Sequence, residues 1–267
     1  MSAGANNILR DILQSKRREV AELRAAGSEG ELQLAAAAAP PARDFTAALR
    51  RAPGAAVIAE IKRRWPSADG PAMAIDPADQ ARRYQAGGAA AISVLTDGSF
   101  FSGSLADLQA VRAATALPVL RKDFIIDPLQ VLQARVAGAD AVLLIAAALE
   151  RGQLAELYAV CRELGMTPLV EVHHRDELDR VLALDPPLVG INNRDLGTLA
   201  VDINTCLELR RLVPSGALVV AESGIGTPRD VRRLLAGGLD AFLVGTALMR
   251  AEDPQAAVAN MVRTGEC

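Results

Sequence analysis

From Val57 onward, short apolar runs alternate with amphipathic stretches. The runs begin near Val57, Ala91, Val119, Ala141, Pro168, Leu188, Leu218 and Ala241. Helix-like segments lie between them, among them Pro128–Ala137, Arg151–Leu164, Arg175–Leu184 and Pro228–Ala236. Such alternation predicts βαβ units and a parallel sheet. One junction recurs in variants, at Ala86-Gly87-Gly88-Ala89, Ala137-Gly138-Ala139-Asp140 and Ala236-Gly237-Gly238-Leu239. Each reads as a helix end, a glycine turn and entry into a buried strand. Eight units of this kind predict an α/β fold, a (β/α)8 TIM barrel over residues 57–263. A doubly wound open sheet is the alternative. It usually has fewer strands, and no GxGxxG follows the first run here.

Ahead of the barrel, residues 1–50 read as a helical extension of the same 267-residue domain. Ile8, Ile12, Val20 and Leu23 make an incomplete apolar stripe, which predicts a helix from about Ile8 to Arg24. Gly27 and Gly30 are expected to end it. The alanine run and Pro40-Pro41 that follow read as a connection, and Phe45–Arg50 as another short helix.

Several apolar runs finish in ionisable groups. The first ends in Glu60-Ile61-Lys62, the third in Arg121-Lys122-Asp123, and the fifth carries Glu171. Buried charges are costly without partners, so these ends should open onto a shared polar space. Residues two apart on a strand share a face. Glu60 with Lys62, Leu120 with Lys122, and Leu169 with Glu171 can therefore all face the barrel interior. Lys62, Lys122 and Glu171 would ring the mouth at the strands' C-terminal ends, with Glu60 one layer deeper. A purely structural Lys–Glu plug is the competing reading. Asn192 shares parity with Gly190 on the sixth run, and Arg194 follows in the loop. The seventh and eighth runs lead into Glu222-Ser223-Gly224 and Gly245-Thr246. Glycine-bearing tips on adjacent strands let backbone N–H groups approach an anion, as a phosphate site requires.

Composition narrows the class. Net charge is −3, so nothing points to nucleic acid or an anionic membrane. No stretch reaches a membrane span, and no secretory pattern is visible at the N-terminus. Cys161, Cys206 and Cys267 lack metal-ligand spacing and read as core filler or tail in a reducing, cytoplasmic setting. No metal is expected. His173 and His174 read as an outward-facing residue and the start of a surface turn. No stripe requires a dimer, so a monomer is expected rather than a dimer.

Taken together, these motifs resemble the indole-3-glycerol-phosphate synthase family of tryptophan biosynthesis. The matching segments are IAEIKRRWPS (58–67), SVLTDGSFFSGSLADL (93–108), LPVLRKDFIIDPLQV (117–131), ADAVLLIAAAL (139–149), PLVEVH (168–173), GINNRDL (190–196), AESGI (221–225) and AFLVGTALM (241–249). They run in the family's order along nearly the whole chain.

The resemblance implies a barrel mouth covered by the N-terminal extension. It implies a phosphorylated small-molecule substrate, a carboxyphenylamino-deoxyribulose 5-phosphate, converted to indole-3-glycerol phosphate, CO2 and water without any cofactor. It implies Lys122 as acid for ring closure, its ammonium made more acidic by burial near a second cation. Glu171 would be the base for dehydration. Lys62 would hold an anionic group or serve as second acid, with Glu60 and Asn192 orienting the others. Phe124, Leu143 and Leu243 would sandwich the aromatic ring, Arg194 and Glu222 would contact substrate, and Ser223, Gly224, Gly245 and Thr246 would hold the phosphate. One departure stands out. The family's Ser-Pro-Ser-Lys-Gly after the first strand is here Trp65-Pro66-Ser67-Ala68-Asp69-Gly70. Trp65 and Ser67 would lie near the substrate carboxylate, where the indole would crowd it, stack on the aniline ring or swing outward. That departure motivates a second reading, a related phosphate-binding barrel of altered specificity. A non-catalytic barrel binding a metabolite or partner is the third. It is disfavoured because Glu60, Lys62, Lys122 and Glu171 are all present.

Overall fold

A computed structural model describes residues 5–65 and 72–265. Ser67 and Cys267 lie outside the described residues. Eight parallel strands close into a barrel in sequence order. They are β1 (Ala56–Ile61), β2 (Ala91–Leu95), β3 (Val119–Lys122), β4 (Ala141–Ile145), β5 (Thr167–Val172), β6 (Leu188–Asn192), β7 (Leu218–Glu222) and β8 (Ala241–Val244). β8 pairs back onto β1, with Ile58 beside Leu243. The open-sheet alternative is thereby excluded.

Strand alternation divides the core into two layers. Val57, Ile92, Val119, Val142, Val170, Val189, Val219 and Phe242 pack outward with the surrounding helices. Ile58, Leu120, Leu143, Leu169, Leu188, Val220 and Leu243 fill the interior. Glu60, Lys122, Glu171, Asn192 and Glu222 continue the interior set along their strands, which is why charges arrive together at one end. Cys161 and Cys206 are buried free thiols, pushed up to about 12 by burial.

Most helices start where the chain supplies a cap. Asp127 accepts from the Leu129 N–H ahead of the Pro128–Val136 helix. Thr227 and Asp230 form a reciprocal capping box on Pro228–Ala236. The first helix spans Ala5–Ala25 and the short Phe45–Arg50 helix is present. The alanine run differs from expectation. Glu29–Ala38 is a helix, not a connection. Gly30 sits in its first turn, where glycine interrupts little, and alanine has high helix propensity. Ala36 then packs against Leu129 and Leu132.

The N-terminal helix crosses the C-terminal end of the barrel. Lys16 is only 1% exposed. Its ammonium ion-pairs with Asp97 at 2.8 Å and Asp123 at 3.0 Å, beyond β2 and β3. Arg24 reaches Asp127 at 2.6 Å. Burial opposes ionisation of Asp123, yet Arg121 and Lys16 hold its carboxyl down at about 2. A depressed carboxyl stabilises the fold above its unfolded value and loses that contribution as pH falls through the folded one. Lys16→Met would leave Asp97 and Asp123 without their shared cation. Removing one partner of a buried pair costs about 3–5 kcal/mol, which urea unfolding at neutral pH should show. The difference from the unaltered chain should shrink as pH approaches about 2, where Asp123 protonates. A loss below about 1 kcal/mol at neutral pH would place the helix's anchorage elsewhere.

Candidate active site

Lys122 closes the interior face of β3 and lies between two carboxylates. Its Nζ donates to Glu222 Oε2 at 2.9 Å and to Glu171 Oε2 at 3.2 Å. Asn192 Nδ2 donates to Glu171 Oε1 at 3.1 Å. Asn192 Oδ1 accepts the Arg194 N–H at 3.0 Å, so the β6 loop fixes the amide's orientation. Beside this network, Lys62 donates to Glu60 Oε1 at 2.7 Å. Arg121, next to Lys122 in sequence, points the other way. Its guanidinium bonds Thr96, Asp123 and the Gln130 carbonyl.

Two glycines make room for these charges. A Cβ on Gly190 would run into Glu222 Oε1, and one on Gly245 would run into the Glu60 carboxylate and approach Lys62 Nζ to 3.0 Å. Bare backbone on β6 and after β8 is thus the seat of both networks.

Electrostatics set the two carboxylates apart. Burial pushes Glu222 up to about 8, and the charge of Glu171 adds to this against the pull of Lys122. Burial also opposes ionisation of Glu171. Lys122, His173 and Asn192 overcome it and hold Glu171 well below the usual carboxylate range. Lys122 itself does not behave as the sequence suggested. Burial disfavours its charge, but Glu222, Glu171 and Glu60 raise its pKa above the ordinary lysine value. The resting neighbours of this ammonium are carboxylates, with Lys62 tied to Glu60, so no second cation makes it more acidic.

The remaining candidates fall into four groups. Ser223 and Gly224 turn the chain with positive φ of 63° and 76°. The Ser223 carbonyl accepts from Asn193 Nδ2 at 3.0 Å, which ties the β6 and β7 tips together. Thr246 Oγ1, beyond β8, accepts the Trp65 indole N–H at 2.9 Å. The Trp65 ring lies 5.4 Å from Lys62 Nζ and 5.3 Å from the Arg250 guanidinium. It is partly buried against the outer layer, and its contacts with Thr246 and Lys62 keep it at the mouth rather than swung outward. Phe124 is half-buried, with Phe101 6.3 Å away. Leu143 and Leu243 are interior core, 2% and 5% exposed, with Leu243 in register with Glu222. Arg194 stands apart, its exposed guanidinium on the Leu199 carbonyl at 3.1 Å.

His173 is the residue that sequence reasoning misplaced. It is 3% exposed and not outward-facing. Its Nε2 lies 3.1 Å from Glu171 Oε1, close but not aligned as a hydrogen bond. The parity that runs through Leu169 and Glu171 reaches His173 if carried one step past the strand's end. His174, expected to start a surface turn, takes the N-cap position of the Arg175–Leu182 helix. Among the described residues, no group of three or more His, Cys, Asp or Glu has metal-holding geometry. Among those residues too, no helix is long and apolar enough to cross a membrane.

A closed (β/α)8 barrel with lysine–carboxylate networks at the C-terminal ends of its strands belongs to a class of enzymes that place proton-transfer groups in the barrel mouth. Comparison with known proteins refines this class. The family model for indole-3-glycerol phosphate synthase matches residues 9–261. An indole-3-glycerol phosphate synthase from Nocardioides sp. is 51% identical over 255 residues, covering 96% of this chain and 98% of the relative. One from Mycobacterium avium is 48% identical over 258 residues, covering 97% and 94%. The chain belongs to the indole-3-glycerol phosphate synthase family. A solved thiamine phosphate pyrophosphorylase from Pyrococcus furiosus aligns with a TM-score of 0.61 at 17% identity, covering 81% of this chain and 98% of that one. That likeness shows the fold alone.

The seat beneath Glu222 gives a direct test. In Gly190→Ala only the far end of the Glu222 side chain must yield, so the fold should persist while the grip on Lys122 loosens. Turnover is expected to fall about 10- to 100-fold, the usual scale for a displaced catalytic neighbour. Wild-type turnover in a folded Gly190→Ala protein would remove Glu222 from the working site.

Proposed function

We propose that this chain converts 1-(2-carboxyphenylamino)-1-deoxyribulose 5-phosphate to indole-3-glycerol phosphate, CO2 and water. The observation that carries the reading is the Lys122 ammonium held at the mouth by Glu171 and Glu222.

As the aromatic carbon attacks the ribulose carbonyl, charge develops on its oxygen. Lys122 delivers the proton there. Its raised pKa does not block the step, because an alkoxide is a much stronger base than an amine. It keeps the ammonium charged until that oxygen needs it. Loss of CO2 then restores the aromatic ring. Glu171, kept ionised by its cationic neighbours, takes the proton released during dehydration, and the departing hydroxyl leaves as water with a proton from an ammonium. Lys62, tied to Glu60, is the second ammonium available, for that step or for the substrate's carboxylate. Asn192 holds Glu171 in place. Glu222 keeps Lys122 aimed.

Backbone groups of Ser223, Gly224, Gly245 and Thr246 are the proposed phosphate cradle, with Thr246 engaged by Trp65 before substrate arrives. Phe124 flanks the aromatic ring above the floor that Leu143 and Leu243 provide. Arg194 would leave the Leu199 carbonyl to meet the anionic end. The intact pairing of Lys122 with Glu171 and Glu222 favours the family's reaction over an altered specificity, with Trp65 bordering the site on Thr246 and beside Lys62. The protein is proposed to work as a cytoplasmic monomer.

Lys122→Ala tests the assignment. Loss of a positioned acid typically costs about 10²–10⁴-fold, so indole-glycerol-phosphate formation, followed by indole fluorescence, should fall by that much. Binding of inorganic phosphate, measured by calorimetry, should persist. Full turnover in Lys122→Ala would contradict the proposal.

A further inference from the structure

Among the described residues, three groups have no part in the proton transfers above: the Lys16 cluster, which anchors the N-terminal helix, the Trp65–Thr246 contact, and His173. His173 carries the most. The ring is held between two carboxylates at the exit of β5. Its backbone N–H donates to Glu177 Oε2 at 2.6 Å, and its Nδ1 lies 3.1 Å from the same oxygen. Its Nε2 faces Glu171 Oε1 at 3.1 Å. On the far side, His173 and Glu177 line a cavity of ≈ 410 Å³ beneath the N-terminal helix, which Lys122 and Glu171 do not line.

Lys122 alone does not distinguish its two carboxylate partners, because it donates to both. The asymmetry comes from behind them. Glu171 Oε1 faces His173 and Asn192, whereas Glu222 Oε1 has no partner among the described residues. We propose that His173 is a positioning residue that makes Glu171, rather than Glu222, the ionised base, and that Glu177 holds the ring to this task from the cavity side. This rests on the assignment of Glu171 as base. Electrostatics agree with the geometry. Burial disfavours the imidazolium, but Glu171 and Glu177 raise His173 to about 10. Glu171 then has two cations near it, and Glu222 has one.

Other charged groups frame the ring. Lys122 acts from β3 through Glu171. His174 lies 6.3 Å away ring to ring and is paired with Asp195 at 3.2 Å. Arg10 and Arg17 of the N-terminal helix line the same cavity. These stay in place when His173 or Glu177 is neutralised, so the effect of each substitution can be read separately.

The test is the pH profile of kcat for His173→Gln and Glu177→Gln in the full chain, with KM and thermal stability measured alongside. Removing the imidazolium takes a cation from Glu171, so its protonation should move to higher pH. The acid limb of kcat is expected to rise by about one pH unit in His173→Gln, with KM within about twofold of wild type. Glu177→Gln leaves the imidazolium charged across the acid limb but loosens the hold on its Nδ1, so the ring's contact with Glu171 weakens and the same limb should move in the same direction by less. A structural role alone would lower stability and leave the limb in place. Unchanged limbs in both folded variants would overturn the proposal. If His173→Gln does not fold, Glu177→Gln decides alone. Glu171→Gln separates the two ideas: an active Glu171→Gln overturns the base assignment itself, while an inactive one with unmoved limbs overturns only the role of His173.

Discussion

One ammonium shared by two buried carboxylates governs this molecule's active end. Taken alone, Lys122 with Glu171 and Glu222 would carry a net negative charge in a poorly solvated place. Such a trio tolerates only limited imbalance, because desolvation of each charge costs several kcal/mol after relaxation. Two features restore balance. His173 brings a second cation to Glu171, and burial leaves Glu222 the carboxyl that holds its proton most readily. An anionic substrate entering this mouth meets a site whose charges are already compensated, with Lys62 paired to Glu60 next to it.

The scaffold makes that arrangement possible through alternation around a closed ring. Leu120, Leu169 and Val220 fill the interior, and two residues further on each strand come Lys122, Glu171 and Glu222. Apolar layers below and polar groups above follow from one rule applied to three strands. The N-terminal helix completes the enclosure. Lys16 spans Asp97 and Asp123, the residue after Lys122, so anchorage of the N-terminal helix and placement of the Lys122 ammonium share one stretch of chain. The same helix roofs the cavity behind His173. Stability at the rim and chemistry at the mouth are therefore joined at both β3 and β5.

Much of this was legible in the sequence, for physical reasons that can be named. The eight apolar runs mark the strands because a barrel strand is buried on both faces. Parity placed Glu60, Lys62, Lys122, Glu171 and Asn192 on one side, and glycine-rich tips marked the ends of β7 and β8. Other features depend on distant partners and leave no local trace. The acidity of Lys122 was misjudged because Glu222, 100 residues away, bonds it directly. His173 was misplaced because alternation continues past the last residue of β5. Nothing around Lys16 announces Asp97 or Asp123. The alanine run reads as a connection because glycine and proline punctuate it, whereas the helix forms on the packing surface offered by Leu129 and Leu132. Trp65, which departs from the family's serine, takes its position from Thr246 at the opposite end of the chain.

The central claim is that Lys122 stays a firmly held cation because Glu171 and Glu222 grip it. Heteronuclear NMR of the lysine side-chain amino groups tests it most directly. The Lys122 resonance should remain that of an ammonium beyond the pH at which surface lysines titrate, and its titration should move down when Glu222 is changed to Gln. A Lys122 that loses its proton below the other lysines, or ignores Glu222→Gln, would contradict the account.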